Sequence, residues 1–539
     1  MVHLAAVPND SDVTVPISEE LESIKLDDAF HDEFTTSVYG SRFAGEDLPK
    51  YEMPEKEMPR EVAYRMIKDD LSLDGNPMLN LASFVTTYME DEAEKLMMEA
   101  FPKNFIDYEE YPQSADIQNR CVSMIGRLFN ADTGDDTKSA VGTSCVGSSE
   151  AIILSTLAMK KRWQNRRKAE GKPYDKPNII MSSAVQVCWE KAARYLDVEE
   201  RFVYCTDTRY IIDPDETVDL VDENTIGICT ILGSTYTGQY EDVKGVNDRL
   251  VKKNLDCPIH VDAASGGFVA PFVHPDLVWD FRLEKVVYPG VGWVLWRSPE
   301  FLPQELVFNI NYLGAEQSSF TLNFSKGASQ VIGQYYQLIR LGKRGYRAIM
   351  MYGNVAFNQM VQKLTLCRNL TKTADYLAAA LQQVGFIVLS EGGGRGLPLV
   401  AFRLNPKDHH RYDEVSHLPS KITRSYLYTD FDQFAVAHQL RERGWVVPAY
   451  TMAPNTKNFK LMRVVVREDF SRSRCDQLVC DIVFALKTLN EMDEKNIAEH
   501  AVRAFRSSRR VQKEKHDTPS YKGETHSLQG QTGKTHAVC

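Results

Sequence analysis

The chain has 539 residues, 43% of them hydrophobic and 25% charged, with a net charge of −11. Such a length allows a large core and two or more domains, and the acidic balance excludes a general nucleic-acid binder while leaving room for a locally positive site. The 10 cysteines are scattered without a CxxC pair, so neither a zinc site nor a disulfide framework is expected, and the compartment reads as reducing.

Residues 1–78 read as a polar arm with a short helix near Glu19 to Leu26 and a second helical segment, "EVAYRMIKDDLSLDGN", closed by a Gly turn. The start "MVHLAAVPND" lacks the basic and apolar regions of a signal peptide, and no run has the roughly 20 apolar residues of a membrane helix. A soluble cytoplasmic protein is expected, with no membrane and no nucleic-acid partner. Between 141 and 297 the chain alternates. "EAIILSTLAMKKRWQNRRKAEG", "VQVCWEKAARYLDV" and "VKGVNDRLVKKN" read as helices, and "NIIMSS", "TIGICTIL" and "PIHVDAA" as buried strands. This predicts an α/β domain over 79–353, built on a mostly parallel sheet covered by helices. From 354 to 495 helices ("NLTKTADYLAAALQQVGF", "DQFAVAHQLRERGW") mix with strands ("LPLVAFRLN", "LMRVVVRE"), which predicts a smaller α+β domain. A polar tail fills 496–539, and its first part, "AVRAFRSSRRVQKEKH", is basic.

Several short motifs could carry chemistry. "VGTSCVGSSEA" puts Ser148 and Ser149 where a long helix begins, a natural anion site, although a plain serine cap explains the pattern as well. Asp262 stands at the carboxyl end of a buried strand, followed by small residues that leave space for a flat ring; a capped turn is the simpler alternative. Thr235 ends another buried strand on the same edge, and Ser325 precedes a helical run.

Taken in order, "VGTSCVGSSEA", "VQVCWEKAARY", "STYTGQYE", "HVDAASGGFVAPF", "GVGWVLWR" and "NFSKGASQVIGQYY" resemble the glutamate decarboxylases. These are fold-type-I pyridoxal 5′-phosphate enzymes that convert L-glutamate to 4-aminobutyrate and carbon dioxide. The resemblance runs from about Asp74 to Arg467. It implies that Ser148 and Ser149 hold the phosphate, assisted by Ser325 from a neighbouring subunit. Gln186 would lie on the pyridine ring, Thr235 would contact the cofactor, and Asp262 would keep the ring nitrogen protonated. Ser83, Asn104 and Asp107 would face the substrate side-chain carboxylate, and Arg463 the α-carboxylate. No metal is implied. A homo-oligomer is, a dimer at least and a hexamer in many relatives. The basic tail is compatible with calmodulin binding, as in plant relatives, but it has no Trp, and a solvated tail explains it as well.

One residue of the resemblance is missing. Relatives carry their Schiff-base lysine in a segment like S-I-N-x-S-G-H-K-[FY]-G-L. Here "WDFRLEKV" runs directly into "VYPGVGWVLWR", so that about a dozen residues are absent between Val286 and Val287. Lys285 belongs to the upstream flank and Lys326 to a different motif, so neither replaces it. The absent segment also supplies a sheet strand, and its loss is expected to leave "GWVLWR" without a neighbour unless "KVVY" moves into the space. The activity of this chain is therefore in question, and a non-catalytic subunit of a decarboxylase assembly is the alternative.

Overall fold

The computed structural model describes residues 48–49, 51–55, 57–83, 89–105, 109–131, 141–312, 315–351, 370–405, 431–457 and 459–491. The helix expected near Glu19, the candidate Asp107 and the basic tail lie outside them. The chain divides into two units, 1–76 and 77–539. In the first, the predicted helix spans Arg60–Leu71 and stops short of the Gly turn.

The second unit contains a seven-stranded sheet. Its strands are β1 (Val141–Ser144), β2 (Asn178–Ser182), β3 (Glu199–Val203), β4 (Thr225–Ile231), β5 (Ile259–Asp262), β6 (Val286–Gly290) and β7 (Trp293–Trp296), in the order β1-β7-β6-β5-β4-β2-β3. All pairs from β3 to β6 are parallel, and β7 runs against both its neighbours. Every residue of β2, β4, β5 and β6 is buried, as expected of parallel strands covered on both faces. Ile180, Ile228, Ile259 and Val261 join one core cluster; Ile179, Met181, Cys229 and Tyr288 join another. Helix Ser148–Ala169 lies so close to the sheet that a Cβ on Gly227 would meet Met159 Sδ at 2.4 Å, so any larger residue there would force the Met159 side chain to shift. A β8–β9 hairpin (Phe308–Tyr312, Ala315–Ser319) follows. A four-stranded antiparallel sheet comprises β10 (Ile387–Val388), β11 (Leu399–Arg403), β12 (Ala449–Thr451) and β13 (Lys460–Val465). It packs with helices Leu370–Val384, Gln433–Glu442 and Arg472–Glu491.

The predicted strands and helices of both layers are present, whereas β1, β3 and β6 had no clear signal. Of the two outcomes expected for "GWVLWR", the second holds: the "KVVY" stretch moves into the space. Val286–Gly290 occupies the seat beside β5, with Ile259 N–H donating to Lys285 O (2.7 Å) and Ala263 N–H to Gly290 O (2.9 Å). The chain then reverses through Val291 and Gly292 into β7. Gly292 has φ of +85°, a conformation glycine adopts without the penalty of a side chain. The sheet is therefore continuous, and the backbone groups beside Asp262 are paired. Among the described residues no helix is long and apolar enough to cross a membrane.

Candidate active site

In a parallel sheet, ligands bind beyond the carboxyl ends of the strands. At that edge lies a cleft of about 370 Å³, lined by residues that include Ser148, Gln186, Thr235 and Asp262. Ala184, Cys188, Ile231, Gly233, Ala264 and Ser265 complete its wall. The four sequence candidates come from four different connections, which only the sheet order brings together.

Asp262 is the chemical centre of the cleft. Its Oδ2 accepts from Trp189 Nε1 (2.9 Å) and its Oδ1 from Ala264 N–H (3.2 Å). Both partners are neutral. Burial raises the carboxyl above its ordinary value, while these two hydrogen bonds favour the ion. A buried carboxylate held in place by neutral donors is a ready partner for a protonated ring nitrogen. Trp189 was missed in the sequence, although it stands three residues after Gln186 in "VQVCWEKAARY".

Ser148 opens the helix, but its N-cap is Gly147, which has no side chain to offer. The serine cap allowed by the sequence is thus not formed, and Ser148 lines the cleft instead. Glu150 accepts from Val146 N–H (2.7 Å) and Leu322 N–H (3.2 Å), which ties up its charge at the helix start. The uncapped amides and the Ser148 hydroxyl form a donor set that suits a phosphate. Ser149 is absent from the cleft wall, whereas Cys188 lines it. Gln186 caps the next helix, accepting from Cys188 N–H at 2.8 Å.

Arg463, on β13, is buried; one guanidinium nitrogen donates to Thr235 O and the other to Ala82 O (2.8 Å). It therefore touches the backbone of a cleft residue and of the neighbour of Ser83. Its guanidinium also stands 5.5 Å from the Tyr450 ring, and Tyr450 donates to Tyr236 O at 2.7 Å. Asn104 and Ser325 are apart from the cleft of this chain. Asn104 Nδ2 meets Ser325 Oγ at 3.4 Å, and Lys326 N–H donates to Asn104 Oδ1 at 2.9 Å.

Two buried groups beneath the cleft predict the pH dependence of stability. His260 shares the Asp262 face of β5 and packs edge-on against Trp189 (4.8 Å), and neither ring nitrogen has a hydrogen-bond partner among the described residues. Burial pushes its pKa from 6.5 down to about 3. As pH falls from 6.5 towards 3, the unfolded chain takes a proton that the fold refuses, so stability drops by up to ~1.4 kcal/mol per pH unit. Glu241 accepts from Ile231 N–H (2.7 Å) and Ile212 N–H (3.3 Å), yet burial raises it from 4.5 to about 8. Its contribution is full below 4.5 and is lost as pH rises through 8. Unfolding midpoints measured across pH should show His260→Met flattening the acid limb and Glu241→Gln the alkaline limb. A wild-type acid limb in the His260→Met protein would refute the first assignment.

The family model described as the pyridoxal-dependent decarboxylase conserved domain matches residues 54–405. The chain belongs to the pyridoxal-dependent decarboxylase family. It is 49% identical to glutamate decarboxylase 2 of Arabidopsis thaliana over 86% of this chain and 89% of that one. It is equally identical to the glutamate decarboxylase of Petunia hybrida, over 85% and 86%. Among solved structures, Lactobacillus brevis glutamate decarboxylase superposes with a TM-score of 0.74 at 37% identity, covering 85% of this chain and all but 1% of that one (99%). A Burkholderia pseudomallei sphingosine-1-phosphate lyase (TM-score 0.64, 19% identity, 89% and 100% coverage) shares the fold. Pyridoxal 5′-phosphate is the family's cofactor, and Asp262 with the Ser148 helix start fits it.

Proposed function

We propose that the cleft binds pyridoxal 5′-phosphate and L-glutamate in the manner of a glutamate decarboxylase, and that this chain lacks the lysine needed for turnover. What carries the reading is the convergence of Ser148, Gln186, Thr235 and Asp262 on one cleft with, among the described residues, no lysine in its wall. When bound, the cofactor supplies an electron sink for the pair left behind as the α-carboxylate departs as carbon dioxide. The chain's own residues do the rest. Asp262, fixed by Trp189, holds a proton on the ring nitrogen. Ser148 and the helix amides hold the phosphate. Arg463 receives the α-carboxylate, with Ser83 beside it, and its burial strengthens that contact. Ser325, exposed and not part of this cleft's wall, suits a role in the site of a second copy, with Asn104 orienting it.

The alternative, a non-catalytic subunit of a decarboxylase assembly, rests on the same missing lysine. Intracellular location, oligomer size and calmodulin binding by the basic tail are separate expectations, open to fractionation, sedimentation and calcium-dependent pull-down. The cofactor reading itself is tested by equilibrium binding. Asp262→Ala is expected to weaken pyridoxal phosphate binding by about tenfold to a hundredfold, the effect of one charged hydrogen bond. Unchanged affinity would place the cofactor elsewhere.

A further inference from the structure

Among the described residues, the cleft around Asp262 has no amine in its wall. The sheet neighbours of Asp262 are Ile231 on β4 and Gly290 on β6, and no Lys or Arg side chain is in the cleft wall among the described residues. Lys285 is at the far end of β6. It precedes Val286, which faces Ile259, so about four residues or ~13 Å of strand separate it from the Asp262 edge. Its amine pairs with Glu284 at 2.9 Å. Lys326 is anchored in a different cleft, where its amine donates to Thr143 Oγ1 (3.0 Å) and Gln118 Oε1 (3.5 Å) and stands 5.6 Å from the Phe105 ring. The Val291–Gly292 reversal leads directly from β6 into β7, leaving no intervening segment to bring a lysine in.

We infer that this cleft recognises a vitamin B6 5′-phosphate by its phosphate and ring nitrogen alone, and takes pyridoxamine 5′-phosphate as readily as pyridoxal 5′-phosphate. The inference rests on the cofactor reading above. A lysine-bearing site prefers the aldehyde because the amine condenses with it, forming a C=N bond and releasing water. Without the amine that bond does not form, and the aldehyde oxygen counts only as one weak acceptor. The groups that remain, Ser148, the helix amides and Asp262, address features common to both forms. Among the described residues no Lys or Arg side chain lines the wall, and Arg463 at its edge is engaged by the Thr235 and Ala82 carbonyl oxygens, which offset its charge towards the ammonium of the amine form. The chain is thus suited to bind either B6 phosphate reversibly.

The full chain is titrated calorimetrically with pyridoxal 5′-phosphate, pyridoxamine 5′-phosphate and inorganic phosphate. The two B6 phosphates are expected to bind within about threefold of each other, and both at least ~30-fold more tightly than phosphate. In the chain repaired with the lysine-bearing segment, the aldehyde form should gain about a hundredfold or more over the amine form. A preference for the aldehyde beyond about tenfold in the unrepaired chain overturns the inference while leaving the cofactor site in place. Failure of both B6 phosphates to outbind inorganic phosphate overturns the inference and the cofactor reading together.

Discussion

Insertion of the family's lysine-bearing segment between Val286 and Val287 is expected to raise carbon dioxide release from glutamate by several orders of magnitude. A positioned reacting group supplies about 7–11 kcal/mol of a barrier, and the lysine is the group of that kind that the inserted segment restores. Ser148, Gln186, Thr235 and Asp262 already line it. The insertion has a structural consequence that can be followed. Val286–Gly290 now pairs with Ile259–Asp262, and the inserted strand must take over that seat. Activity is compared side by side with excess cofactor, using labelled glutamate. Equal turnover in the two chains would mean that the segment is dispensable and that the active site is not this cleft. A repaired chain that binds cofactor yet leaves glutamate untouched would refute the substrate.

The second large effect concerns Arg463. In the repaired chain, Arg463→Ala should raise KM for glutamate by about 30-fold to 5,000-fold, the range for losing one partner of a buried charged pair (~2–5 kcal/mol). The guanidinium is buried, which lowers its pKa, so a substrate carboxylate meets it with little competing water. It also donates to Thr235 O and Ala82 O, so some loss of cofactor affinity should accompany the substitution. Arg463→Lys keeps the charge but not the two-pronged geometry, and should recover only part of the loss. A KM unchanged in Arg463→Ala would reduce the residue to a structural link between β13 and the β4 edge.

Much of the fold was legible because parallel strands buried on both faces are continuous apolar runs. "TIGICTIL" became β4, and "PIHVDAA" yielded β5 with Asp262 at its end. β1 and β3 were not legible, since "VGTS" and "EERFV" are short and partly polar, and their pairing depends on partners remote in sequence. β6 posed a different difficulty. Its residues read as flanks of a missing segment, and "KVVY" could be named as the stretch to fill the empty seat, but the extent of the strand, "VVYPG", depends on pairing with the remote β5. In the site, Asp262 and Ser148 could be placed because strand ends and helix starts have a local signature. Trp189 could not, because its role is a side-chain hydrogen bond to a residue 73 positions away. Likewise, that Glu150 turns to Val146 and Leu322 follows from the loop packing rather than from its place in the first turn.

The most direct test of the account is chemical trapping of the lysine. The chain as written and the repaired chain are each saturated with pyridoxal 5′-phosphate, reduced with borohydride, digested and mapped by mass. The account predicts a pyridoxyl group on the inserted lysine of the repaired chain and on no lysine of the chain as written. Pyridoxyl-Lys285 or pyridoxyl-Lys326 in the unrepaired chain would show that a lysine does reach the cofactor, and would contradict it.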